Sequence, residues 1–461
     1  MDGILERSKQ IVGKGMLFRV LLIFLCFFLT STGYLAWLYH LLDLAPAGMP
    51  DLLAMGLGYG CQAAGIGAFA LIASRRHTWV SRRTFTGALI AYLICMIPAA
   101  VLPGLPGTAV FGALLNLFCG VIVGFYLHDL GRAEARVRGR VFGLGYGIAT
   151  AASWILSRIA NITVWKTNMV IVFCAALTAV TVLLLHTAPL YEWSEEGLFS
   201  PSASADMPQL KRLLIIACAV VFLFSVVNHV GFSFPASDIG NGVDLELSRL
   251  FYAAGLVIAG LVNDKNRKYG AITTMGALVI PFIMLSLGSG GAPAAILWAL
   301  SYFASGFFSV YRIILFVDLA EAKRLPFLAG FGLLFGRLGE ALGTVLYSAA
   351  AGRMFALVMF AALLYIATIL LFFWLWQKIY LPEADRERSE REAFRRFAVK
   401  HDLSPREREI MSLLLEKETT AAIAEQLFVS ESTVKFHIHN LLQKTGTKNR
   451  KELVEQYYSG R

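Results

Sequence analysis

The chain of 461 residues is 57% apolar and only 16% charged, with a formal net charge of +10. Soluble globular chains run at roughly 45–50% apolar and 25% charged, so this balance excludes an ordinary soluble enzyme and places most of the chain in the membrane class. The six cysteines (Cys26, Cys61, Cys95, Cys119, Cys174 and Cys218) all lie in apolar stretches without metal-ligand or redox spacing, and they are read as packing residues.

Twelve apolar segments reach the length of about 18–25 residues that crosses a bilayer as a helix. They centre on 17–42, 52–74, 84–102, 106–128, 141–161, 168–188, 213–235, 246–262, 271–288, 292–317, 327–351 and 354–376. The first is too long for a cleavable signal and reads as an uncleaved span. Basic residues fall in alternate loops: Lys9, Lys14 and Arg19; Arg75, Arg76, Arg82 and Arg83; Arg132, Arg136, Arg138 and Arg140. Lys211 and Arg212, then Lys265, Arg267 and Lys268, then Lys323 and Arg324 continue the series. The opposite loops carry Asp43, Asp51, Asp238 and Asp244, with little basic beyond Lys166, Arg249 and Arg353. That asymmetry predicts a multi-pass membrane protein with both termini cytoplasmic.

The spans repeat. Ala63-Ala64-Gly65-Ile66 answers to Ala253-Ala254-Gly255-Leu256, and Asp129-Leu130 to Asp318-Leu319, at nearly the same offset. A polar connector, 189–212, lies between the halves. Six spans, a connector and six more is the layout of two packed repeats. Gly260-Leu261-Val262-Asn263-Asp264-Lys265-Asn266-Arg267-Lys268 looks like the Gly-x-x-x-Asp-Arg-x-Gly-Arg loop of the major facilitator superfamily, without its second Gly. The matching first-half Asp position is Ser74. The expected organisation is a cytoplasmic N-terminus (1–16), a first six-span bundle (17–188), the connector (189–212), a second bundle (213–376), a charged linker helix (377–402) and a C-terminal domain (403–461).

Ionisable groups inside spans are expensive to bury and therefore candidate ligand contacts. They are His229 beside Asn228, Arg312, and Arg337 with Glu340, the last two spaced to pair on one helix face. Arg312 is expected to snorkel or brace a loop. Gly288-Ser289-Gly290-Gly291 lacks the lysine and strand context of a phosphate loop and reads as a turn. No catalytic residue, metal site or cofactor is expected, and no receiver-like acidic cluster points to a phosphorelay.

After the last span, the run Asp385-Arg386-Glu387-Arg388-Ser389-Glu390-Arg391-Glu392 reads as a solvated linker helix. The sharper alternative makes it a transmission element, with Phe394 and Phe397 packing onto the next domain or a partner chain. Ser404-Pro405-Arg406-Glu407 then stacks three helix-start signals: a cap, a proline where the missing N–H costs nothing, and a capping-box Glu. A second helix follows Thr419-Thr420, a turn falls at Phe428-Val429, and Ser430 caps a third helix running to about Lys444. This is a helix-turn-helix pattern. Leu403 to Val454 resembles, without a gap, the LuxR-type DNA-binding domain of bacterial regulators. The matching residues are Ser404 to Glu407, Ile423-Ala424, Leu427, Val429-Ser430, Thr433-Val434-Lys435, His437, Lys444, Gly446 and Asn449-Arg450. Ala422, Lys417 and Thr445 depart from the family's Glu, Gly and apolar residue, each at about 1 kcal/mol.

On the third helix, Val434, Ile438, Leu441 and Leu442 recur at core spacing. Lys435, Phe436, His439 and Gln443 then face a groove, and Thr433, Asn440, Lys444, Lys448 and Arg450 are suited to phosphate. The resemblance supports Thr433, Lys435 and position 439 as DNA contacts, and His437 as a structural residue. Few exposed basic groups argue for two copies on a palindromic double-stranded site. The expected fold is all-α: a twelve-helix transmembrane bundle of two six-span pseudo-repeats, major-facilitator-like, plus a small four-helix LuxR-type domain. The expected function is a membrane-bound one-component transcription regulator, a homodimer on DNA, whose bundle senses an unknown small molecule or membrane signal. The alternatives are a working secondary transporter with a regulatory tail and a tail that binds protein.

Overall fold

The computed structural model of the chain describes residues 2–46, 49, 52–160, 167–188, 207–236, 245–277, 279, 292–322, 325–349, 353–416 and 418–459. Asp51, Lys166, most of the connector, Asp238, Asp244, Gly288 to Gly291, Lys323, Arg324 and Lys417 lie outside these residues. Among the described residues the chain is all-α, with no strand. It forms two compact units, Gln10–Leu375 and Trp376–Arg461, the second joined by Met1–Lys9.

In the larger unit the helices are α1 (Asp2–Leu44), α2 (Tyr59–Arg75), α3 (Arg82–Val101), α4 (Leu105–Leu130), α5 (Arg138–Ala160) and α6 (Thr167–Thr187). Then come α7 (Met207–Ala236), α8 (Leu245–Lys265), α9 (Arg267–Ala277), α10 (Ala292–Ala322), α11 (Phe331–Ala349) and α12 (Met354–Lys400), the last running on into the smaller unit. Local chemistry sets the starts. Ser81 and Thr84 form a reciprocal capping box at α3, and Gly104-Leu105-Pro106 opens α4.

Among the described residues nine helices are long and apolar enough to cross a membrane, which is compatible with a membrane protein. Two further expected spans, 141–161 and 246–262, are helices but fall outside that set. α5 packs closely on α8, with Gly139, Gly143 and Gly147 against the backbone of Gly260, Leu256 and Ala253. The expected span at 271–288 is described only through the short α9 and Val279.

The repeated Ala-Ala-Gly stretches do the same physical work in both halves. A Cβ on Gly65 would lie 2.0 Å from the Leu117 carbonyl oxygen, bringing α2 onto α4; one on Gly255 would lie 2.2 Å from that of Phe303, bringing α8 onto α10. The first half's apolar core runs through Phe69, Phe85, Phe125 and Leu127, with the Phe85 and Phe125 rings stacked at 4.6 Å. α5 on α8 and α2 on α11 join the halves.

Replacing Gly65 or Gly255 by Leu is expected to lower the unfolding temperature and folded yield of the detergent-solubilised protein, by overpacking worth about 3 kcal/mol or more. Gly60→Ala, where an added Cβ meets nothing within 4 Å, is the control expected to behave like the parent chain. Equal behaviour of the three variants in thermal melts would contradict this packing.

Candidate nucleic-acid interface and buried polar centre

The smaller unit carries four short helices after α12: α13 (Pro405–Leu415), α14 (Thr420–Gln426), α15 (Glu431–Thr445) and α16 (Arg450–Ser459). Each start is capped by a side chain. The Ser404 N–H donates to Glu407 Oε2 at 2.7 Å while the Glu407 N–H donates to Ser404 Oγ at 3.3 Å. Thr419 alone accepts from the Ala422 N–H at 3.2 Å, the box-less start expected from Ala422. Ser430 accepts from the Thr433 N–H at 3.2 Å, and Asn449 from the Glu452 N–H at 3.0 Å. Gly446 ends α15 in the left-handed region, φ 72°, where glycine carries no Cβ penalty. Thr445, a hydroxyl where an apolar residue was expected, is buried and donates to the Leu441 carbonyl at 2.7 Å.

α14 and α15 pack on each other around a core of Ile410, Met411, Leu414, Ile423, Val434, Leu441 and Leu453. Val434 and Leu441 are fully buried, and Ile438 and Leu442 pack partly buried beside them, at the expected core positions. The other side of α15 is open: Ser432, Lys435, Phe436, His439 and Gln443 are exposed, and Thr433 and Asn440 are half-buried at its margin. Lys435 reaches only Glu431 at 3.6 Å, and Gln443 Nε2 lies 3.1 Å from His439 Nε2. These side chains are free to turn to a new partner. Lys448 is exposed as well.

Two residues expected at phosphate are engaged within the domain. Lys444 Nζ donates to Glu407 Oε2 and to the Asp402 carbonyl, each at 2.8 Å, and Arg450 donates to the Glu418 carbonyl. Sequence spacing shows which face a residue occupies but not the acceptor its own domain offers. The solvated-linker reading also changes at its C-terminal end. Phe394 and Phe397 pack on the domain core, with ring centroids 6.3 and 5.3 Å from Tyr457, and Ala398 is 1% exposed.

The larger unit holds two charged clusters. In the first, Asp264 accepts from the Gly139 and Arg140 N–H groups at 2.7 and 2.8 Å, capping the start of α5 from α8, and pairs with Arg140 and Arg267. Arg138, fully buried, donates to Asp318 at 2.9 Å, Glu321 at 2.7 Å and the Gly131 and Ala133 carbonyls. Arg267 bonds Asp318 from the other side at 2.7 Å. Basic-residue counting used Arg138 and Arg267 only for orientation; that they cross between the halves depends on tertiary packing. In the repeat position, Asp129 pairs with Arg19 at 3.2 Å.

In the second cluster, Glu340 is shared. It accepts from Arg337 at 2.5 Å, the pairing its three-residue spacing suggests, and from Arg312 at 2.6 Å. Arg312 is therefore not a snorkelling residue: it is 4% exposed and seated against α11, where a Cβ on Gly336 would lie 2.4 Å from its Nη1. The Arg337 guanidinium stacks 4.2 Å over the Tyr59 ring. His229 Nε2 lies 2.7 Å from Thr344 Oγ1, with its ring 6.3 Å from Tyr59, and Asn228 is half-buried next to it in the chain. Tyr59 and Thr344 carried no distinguishing sequence signal, since a tyrosine or threonine in an apolar helix is ordinarily a packing residue.

A short helix, a tight turn and a second helix with one buried and one open polar face define a helix-turn-helix domain of the DNA-binding class. Residues 401–456 match the luxR family of bacterial regulatory proteins. Over 58 residues the chain is 48% identical to the spore germination protein GerE of Bacillus subtilis (strain 168), a match spanning 13% of this chain and 78% of that protein. Through its C-terminal domain the chain belongs to the luxR family, a DNA-binding family of transcription regulation.

Burial would raise the Glu407 carboxyl, but Lys444 and the Ser404 N–H and hydroxyl outweigh it and hold it below its ordinary value of 4.5. A depressed carboxylate contributes stability that is fully present above that value and lost as pH falls through the lowered one. Amide exchange at the start of α13 is therefore expected to be pH-independent in its protection above about 5 and to quicken on acidification below it. In Glu407→Gln, which keeps an acceptor but no charge, this acid dependence should be absent; its persistence would assign the transition to another group.

Proposed function

We propose that the chain is a membrane-bound one-component transcription regulator of the bacterial cytoplasmic membrane. The observation that supports this most directly is the open stripe on α15, Lys435, Phe436, His439 and Gln443, in a domain of a DNA-binding family. That domain is covalently continuous with helices long and apolar enough to cross a bilayer. In this reading α15 enters the major groove. Lys435 and His439 donate to base edges or phosphate, Phe436 meets a thymine methyl, and Gln443 extends the reading face. Thr433, Asn440 and Lys448 hold phosphates, while Lys444 and Arg450 keep the domain in shape. Basic groups in alternate loops favour cytoplasmic termini, with the head on the chromosome's side of the membrane.

The phosphate contacts of one copy are few, and the salt-dependent part of affinity scales with their number. Two copies on a palindromic site double it, so the regulator acts as a homodimer on DNA. The bundle, two major-facilitator-like halves of six spans, serves as the sensor of a small molecule. A ligand shifts it only through different affinities for two packings. One chain then detects the signal and reads the promoter.

Genome-wide occupancy of the full-length protein is expected to fall at least tenfold in Lys435→Ala/His439→Ala, since each base contact is worth about 1–3 kcal/mol, with membrane insertion unchanged. Unchanged occupancy would remove α15 as the reading helix. The buried charges of Arg312, Arg337 and Glu340 favour a second reading, a secondary transporter with a regulatory tail. Substrate accumulation in vesicles that depends on Arg337 or Glu340 would select it.

A further inference from the structure

We infer that the Arg312–Glu340–Arg337 centre is a binding site for a small organic monocarboxylate, held by Arg337. This deepens the sensing role proposed above and rests on it for its regulatory meaning. Charge arithmetic is the first support. Two guanidiniums and one carboxylate leave +1 (2 − 1), counting His229 as neutral, and among the described residues no second acidic group pairs with either arginine. The three side chains are 5, 16 and 11% exposed for Arg312, Arg337 and Glu340. A charge held in such surroundings without its counterion is strongly unfavourable, and one carboxylate cannot neutralise both arginines.

Unused donors are the second support. Each arginine bonds Glu340 through Nη1. The Nε–H of each is shut off from solvent and has no partner among the described residues. Buried polar groups are ordinarily satisfied, and orphaned ones call for an explanation. The edge made by Nε and Nη2 is the fork that matches the two oxygens of a carboxylate. A monoanion with two coplanar oxygens answers both the missing charge and the missing acceptors.

Arg337 is the better of the two arginines for this. It is the more accessible, whereas Arg312 is clamped between α10 and the glycine face of α11. An incoming carboxylate takes the Arg337 fork and leaves Glu340 wholly to Arg312, which balances the charge in two separate pairs. The surroundings favour an organic body. The Tyr59 ring lies under Arg337, its centroid 4.2 Å from the guanidinium.

The test uses the full-length protein in lipid nanodiscs with three probes: benzoate, its uncharged analogue benzamide, and chloride. Calorimetry and thermal unfolding report binding. Benzoate is expected to bind and raise the unfolding temperature, and benzamide and chloride to do neither at the same concentration. Arg337→Gln should weaken benzoate at least tenfold and Arg337→Lys less. Glu340→Gln, which removes the competing carboxylate, should tighten it at least threefold. A purely structural triad would make none of these changes depend on benzoate. If Glu340→Gln fails to fold, recovery of folded protein with benzoate but not benzamide supports the site, and no recovery overturns it. Equal shifts with benzamide or chloride, or benzoate affinity unchanged in both Arg337→Gln and Glu340→Gln, also overturn it. Chromatin occupancy that still depends on Lys435 and His439 while benzoate fails to bind would remove the anion site and leave the regulator reading standing. Benzoate binding without such occupancy would do the reverse.

Discussion

The Asp264 carboxylate is the point on which the larger unit's two halves depend. It accepts from two N–H groups at the start of α5 and pairs with Arg140 and Arg267, so one side chain caps a helix of the first half from a helix of the second. Arg138 and Asp318 complete the join from the other direction. A helix start leaves N–H groups unsatisfied, and an anion there is stabilised by both hydrogen bonds and the helix dipole. Arg138 is fully buried and is held by Asp318, Glu321 and the Gly131 and Ala133 carbonyls together.

The second charged centre, at Glu340, is of another kind. Its charges do not cancel, and its geometry concentrates small residues around it. Gly336 admits the Arg312 guanidinium, and Gly339 and Gly343 admit α7 with Ser225 and His229. α11 thus touches α2, α7 and α10, among others, through one helix.

Much of the fold was legible because periodicity and capping are local. The caps at Ser404, Thr419 and Ser430, the core positions Val434 and Leu441, and the repeated glycines 65 and 255 were all readable from the residues and their spacing. The features that local pattern does not reach are those set by tertiary context. Arg312 lies in an apolar helix, which permits either snorkelling or burial, and only Gly336 on a distant segment decides between them. Lys444 and Arg450 have the chemistry of phosphate donors, but Glu407 and the Glu418 carbonyl are nearer. The roles of Tyr59 and Thr344 depend on Arg337 and His229, which no local pattern connects to them.

The packing of Phe394, Phe397 and Ala398 against Tyr457 and Leu403 shows where the reading head begins. The family match starts at 401, but the apolar core that holds the head together draws on the end of α12. A fragment cut at the family boundary would lose part of that core and be weakened by it. The transplantable module starts at about Ala393, upstream of that boundary. The C-terminal domain therefore includes about the last two turns of α12, and moving it intact would mean carrying them along.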